Sequence, residues 1–171
     1  MELAFYLSAL VAVLATVGVI AGTNAVHAVV YLIVSLIAVA LVFFALGAPF
    51  AGALEIIVYA GAIMVLFVFV VMMLNLGGDD QTRSWRHPRH WVGPAALALV
   101  LLAVLMSLLL EGDLQRVITG DLLTARSVGL TLFGPWLMVV ELAALLLLAA
   151  LVTASHVGRR SNPLRNRKGQ P

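Results

Sequence analysis

The sequence predicts an all-α integral membrane protein, a bundle of five transmembrane helices with the N-terminus out and the C-terminus in. Three observations carry this. Of the 171 residues 63% are hydrophobic and 11% charged, against roughly 45–50% and about 25% in an ordinary soluble domain, and the mean hydropathy is +1.12. The apolar residues gather into uninterrupted stretches at about residues 3–21, 26–46, 52–76, 91–110 and 132–157, each about 20 residues or longer and so able to cross a hydrocarbon core of ~30 Å as a helix. None of them alternates as a barrel strand does, and backbone in lipid must satisfy its own hydrogen bonds, which leaves helices.

Taken in order, the first stretch follows Glu2 and no basic segment, and it is longer than the apolar core of a cleaved signal, so it reads as a retained helix. The connections at 22–25 and 47–51 are short enough to make the first three helices consecutive antiparallel neighbours. An odd number of spans separates the termini. One side then carries Arg83, Arg86, Arg89 and the tail residues Arg159, Arg160, Arg165, Arg167 and Lys168, the other only Arg116 and Arg126. The bias toward basic residues inside places the C-terminus in the cytoplasm. Residues 1–158 are thus expected to form the transmembrane domain and 159–171 a basic cytoplasmic tail. The longer, polar connection from Glu111 to Thr131 is expected outside, capping the bundle or meeting another subunit.

Composition also excludes function classes. With no cysteine in the chain, thiolate-held iron–sulfur clusters, Cys-ligated zinc, disulfides and a cysteine nucleophile are ruled out. The net charge of +2 and pI near 9.5 reflect membrane topology, because the basic residues sit in one loop and the tail, and no nucleic-acid partner is expected. None of the patterns GxxxxGK[ST], HExxH, GxSxG or GxGxxG occurs, so a self-contained enzyme is not expected.

Two carboxylates fall inside the spans. A charged acid at bilayer depth costs about 2.5–3.5 kcal/mol, so each must face protein or water, or be neutral. Glu141 lies about 14 Å below the outer start of the fifth stretch, near the midplane. It reads either as a proton-relay residue or as a group that bonds a neighbouring helix and fixes packing. Glu55 lies about one turn inside the third stretch, where the helix dipole favours an anion. Tyr59, four residues on, shares its face and can bond it or line the same seam. Gly61, between Ala60 and Ala62, is where a bulge or kink costs least, or else belongs to a small-residue packing patch. His27 and His156 are expected near the inner surface as solvated or capping residues, and Asp79 and Asp80 in a solvated loop.

The segments Thr23-Asn24-Ala25-Val26-His27-Ala28 and Gly47-Ala48-Pro49-Phe50, the run from Leu54 to Phe67, and Val70-Val71-Met72-Met73-Leu74-Asn75 together resemble subunit J of the bacterial proton-pumping NADH:quinone oxidoreductase. Its counterpart is the sixth mitochondrially encoded membrane subunit of respiratory complex I. Thr131-Leu132-Phe133-Gly134-Pro135, and Val140-Glu141 with the apolar run to Leu148, are similar to that family's fifth helix. The likeness covers most of the chain, strong across helices two and three, good in helix five and weak in helix four, the loops and the tail.

The resemblance implies a multi-pass subunit of the bacterial cytoplasmic (inner) membrane, among subunits A, H, K and N, that couples quinone reduction to proton translocation without catalysing it. No cofactor is expected in this chain; FMN, iron–sulfur clusters and quinone are expected in partner subunits. It further implies a third helix that switches between α-helical and π-bulged forms around Tyr59 to Met64 and gates a water path; the candidate path or gate residues are Glu55, Tyr59, Gly61, Met64 and Glu141, and for Glu141 the resemblance leaves open whether it relays protons or packs. Members of the family can carry Gln where this chain has Glu55, so the charge there is not implied to be obligatory. The rival expectation is a purely structural scaffold whose acids only pack helices. An independent small transporter is disfavoured, because five spans without a repeat offer no alternating-access pair.

Overall fold

A computed structural model describes residues 2–22, 24–73, 91–110 and 123–158. All regular structure among these residues is helical: α1 (Glu2–Ala21), α2 (Ala25–Ala45), α3 (Pro49–Met73), α4 (Val92–Leu110), α5 (Ala125–Leu132) and α6 (Leu137–Gly158). Five of them, all but α5, are long and apolar enough to cross a membrane. The chain divides into two compact units, Met1–Thr124 and Ala125–Pro171.

In the first unit α1, α2 and α4 share one core. Small residues on α1, among them Ala4, Ser8 and Ala15, are buried with Val34, Ala38 and Leu41 of α2 and Leu101, Val104 and Leu108 of α4. Lipid is as apolar as these side chains, so close van der Waals packing and interhelical hydrogen bonds hold such helices together. Both occur here. The hydroxyls of Thr16 on α1 and Ser35 on α2 lie 2.9 Å apart, and both reach the Ala12 carbonyl, at 2.8 Å and 3.1 Å. Two protons shared among three contacts make this a small network and not three full bonds. Ser35→Ala is expected to cost about 0.6 kcal/mol, the mean for such interhelical bonds, read as a slight fall in the thermal stability of the purified complex.

Caps set the helix ends. Asn24 caps α2, its side-chain oxygen accepting from the Val26 N–H at 3.1 Å. At the other end Gly47 takes φ 80. Its N–H donates to the Phe44 carbonyl at 3.1 Å and that of Ala48 to Phe43 at 2.9 Å, the two bonds of a Schellman motif that only a left-handed residue closes without strain. The chain then turns at once into α3, whose first residue is Pro49, a position where the missing N–H costs nothing and the fixed φ suits a helix. The third span therefore begins three residues before the apolar stretch at 52; its expected end at 74–76 lies outside the described residues.

The second unit corrects two expectations. A helix expected from 132 onward is interrupted: α5 ends at Leu132, the chain turns through residues 133–136, and α6 runs from Leu137 to Gly158. Pro135 is the cause, since it lacks an N–H and its ring collides with the carbonyl four residues back. The Trp136 N–H passes over that register to the Thr131 carbonyl five residues back, at 3.4 Å. The end of the polar connection, read from sequence as loop to Thr131, is helical from Ala125. The loop arginines 83, 86, 89 and 116, Asp79, Asp80 and the tail from 159 lie outside the described residues.

Candidate functional site

The third span is one continuous 25-residue helix with two hydrogen-bond registers. It is α-helical over Pro49–Leu54, π-helical over Glu55–Ile63 and α-helical again over Met64–Met73. At the lower junction the Met64 N–H donates to the Tyr59 carbonyl, five residues back instead of four. Long π segments are rare because each turn is wider and its axis less well filled. Here the residues lower that cost. Gly61 lacks a side chain, and a Cβ there would sit 3.1 Å from the Ile56 carbonyl, again five residues back. Ala60, beside it, is buried, and the π segment lies against α2.

The expected bulge spanned Tyr59 to Met64; the π-helical segment begins four residues earlier, at Glu55, and ends at Ile63. Glu55 opens it and is half-buried, Tyr59 stands in its middle with 51% of its surface exposed, and Gly61 and Met64 are half-buried. The Tyr59 hydroxyl and Glu55 carboxylate share the segment, but no described hydrogen bond joins them. Between the buried Ala60 and the exposed Tyr59, the helix thus has one face set by α2 and another that this unit leaves uncovered. Glu141, expected about 14 Å into its span and near the midplane, lies only one turn, about 6 Å, into α6, because the turn at residues 133–136 delays that helix to Leu137; it belongs to the second unit and is exposed within it.

Other positions are decided by packing. His27, expected as a solvated or capping residue, is buried in the first turn of α2 with its ring edge-to-face on Trp91, centroids 5.4 Å apart. Trp91, immediately before α4, covers it. One turn further along α2, Tyr31 fills a slot walled by glycines: a Cβ on Gly18 of α1 would lie 2.8 Å from its ring, and one on Gly93 of α4 would collide with its hydroxyl. Sequence reasoning missed this three-helix lock; the glycines of α1 and α4 were visible, but no spacing rule pairs them with one tyrosine. His156 is exposed in the last turn of α6. Among the described residues no three His, Asp or Glu side chains come together.

This chain matches, over residues 15–157, the family described as NADH-ubiquinone/plastoquinone oxidoreductase chain 6. It is 58% identical to the NADH-quinone oxidoreductase subunit J of Escherichia coli strain K12, across 98% of this chain and 94% of that one. It is 61% identical to the subunit J of Pseudomonas aeruginosa, across 94% and 98%. The subunit J of Buchnera aphidicola from Schizaphis graminum is 48% identical, across 93% and 98%.

Proposed function

The chain belongs to the NADH-ubiquinone/plastoquinone oxidoreductase chain 6 family, the subunit J family of the NADH-quinone oxidoreductases, and from that premise we propose that its third span gates a proton path coupled to quinone reduction. It is a multi-pass protein of the bacterial inner membrane and a member of the complex I membrane assembly. In the proposed role it catalyses no step itself. FMN, iron–sulfur clusters and quinone sit in partner subunits, and A, H, K and N are its neighbours.

The single observation that carries this reading is the π-helical segment Glu55–Ile63 in the middle of a membrane span. π segments recur at functional sites because they hold a helix between two registers. Slipping back to the α register by one residue turns one part of the span against the other by about 100°, the angle of a residue at 3.6 per turn. That rotation swings Tyr59 and Glu55 relative to the α-helical part that follows Met64, and so makes or breaks a line of polar groups and water. Moving one charge against 100 mV costs about 2.3 kcal/mol, so the gate must close against back-flow as well as open.

Tyr59→Phe and Glu141→Gln test the reading in the assembled complex. Both substitutions keep the shape of the side chain and remove the proton-handling group. Gating predicts that NADH:quinone turnover and the membrane potential fall together, or that potential is lost at retained turnover, with assembly intact. Unchanged rates and potential in both variants would make the subunit a scaffold.

A further inference from the structure

We propose that α5, with the aromatic turn after it, is a lipid-headgroup interface: its apolar face seats at the boundary of acyl chains and headgroups and Arg126 meets lipid phosphate. At about 100° per residue, Ala125, Val128 and Leu132 fall on one side of α5, and Arg126, Ser127 and Thr131 on the other. Leu130, 67% exposed, is the one departure from that division. The polar side is kept together locally, the Thr131 hydroxyl donating to the Ser127 carbonyl at 2.9 Å.

What this face meets follows from the span it is joined to. The 22 residues of α6 rise about 33 Å, the whole of a hydrocarbon core of ~30 Å, so the chain before Leu137 is at the membrane boundary or beyond it. Trp136, 55% exposed, stands in the turn between α5 and α6, the depth at which tryptophan and tyrosine gather, with the apolar Phe133, 69% exposed, beside it. A short helix with one apolar face, one polar face and a cation, held at that depth, has the pattern of helices that lie in the interface and attract anionic lipid. The inference stands apart from the gating proposal, because it requires only that α6 spans the membrane.

Because the chain has no cysteine, a spin label on an introduced one is read as the difference from the unsubstituted complex. In the assembled complex, in vesicles of phosphatidylglycerol and phosphatidylethanolamine, labels at Val128→Cys and Leu132→Cys are expected to meet dissolved oxygen and be shielded from an aqueous nickel chelate. A label at Ser127→Cys should meet the chelate at least about fivefold more, as on the polar face of an interfacial helix. If Leu132→Cys prevents assembly, Val128→Cys against Ser127→Cys decides alone. Labels at Val128 and Leu132 shielded from oxygen and nickel alike would show another subunit covering the face, and equal nickel contact at all three would show α5 standing in water; either overturns the proposal. Adding Arg126→Gln should move the Val128 label toward water in these vesicles and leave it unmoved in phosphatidylcholine alone. No shift in the anionic vesicles removes Arg126 from the interface.

Discussion

Gly61→Val is expected to leave the complex assembled and to remove most of its NADH-driven membrane potential. The reason is local. In the π register a Cβ at position 61 lies 3.1 Å from the Ile56 carbonyl, and among the described residues no atom of another helix comes within 4 Å of it. The crowding therefore belongs to the register itself and not to a neighbouring helix. Valine adds two further carbons on a stiff χ1, which press on that carbonyl and penalise the π form. In the α register the exchange works the other way, since replacing a mid-helix glycine favours the helix, by roughly 0.5–1 kcal/mol for alanine and by less for β-branched valine. Both effects push the same way, and about 1.4 kcal/mol is a tenfold change in the balance of forms. A gate held in one register cannot cycle, so potential and quinone-linked turnover should fall by about tenfold or more, with Gly61→Ala between wild type and valine. The two rates, measured side by side on equal amounts of assembled complex, decide it. Unchanged rates would place the gate elsewhere, and a missing membrane arm would show that Gly61 serves packing.

Gly52→Val should produce the opposite pattern, loss of assembled complex with normal behaviour in whatever assembles. Gly52 is buried in the first turn of α3. A Cβ there would lie 2.9 Å from the Ala40 carbonyl and 3.0 Å from the Phe44 ring, both on α2. A ring can tilt, but a carbonyl in the middle of a helix moves only with the helix. The start of α3 must back away from α2, and overpacking of this kind costs about 1–3 kcal/mol. The Schellman turn at Gly47 and Pro49 leave little slack between the two helices, so the strain falls on the contact of α2 with the start of α3 itself. The yield of intact complex after extraction at rising temperature reads the effect, Gly52→Ala giving a smaller loss. A full yield for Gly52→Val would mean that α2 and α3 are not held this closely in the assembly.

Set beside each other, the two glycines show how much of the site was readable in one dimension. Gly61 announced itself, because a glycine flanked by alanines in an otherwise continuous apolar run is a weak point in any helix. That it sits in a π segment, and that the segment opens as early as Glu55, depends on which carbonyl each N–H selects, four or five residues back. Both choices are open to the same run of apolar residues, so the pattern of polarity along the chain does not distinguish them. Gly52 gave no such signal; its role exists only because Ala40 and Phe44 of another helix come to meet it.

Spans and family were written in the chain itself, since burial in lipid is decided by side-chain polarity alone, over windows longer than any packing detail, and the Leu54–Phe67 run carries the family resemblance. The interruption at residues 133–136 was half legible: Gly134 and Pro135 are breakers wherever they stand, yet continuous apolarity from Leu132 masked the turn, because hydropathy does not register a missing N–H. The helical state of 125–132 was hidden by its polar residues, which a short amphipathic helix and a loop share. Tertiary structure alone decided that His27 is buried beneath Trp91, that Tyr31 occupies a slot between Gly18 and Gly93, and that Thr16, Ser35 and the Ala12 carbonyl share protons across α1 and α2. Each of these joins residues far apart in the chain through distances of a few ångströms, and polarity along a sequence holds no information about which surfaces will meet.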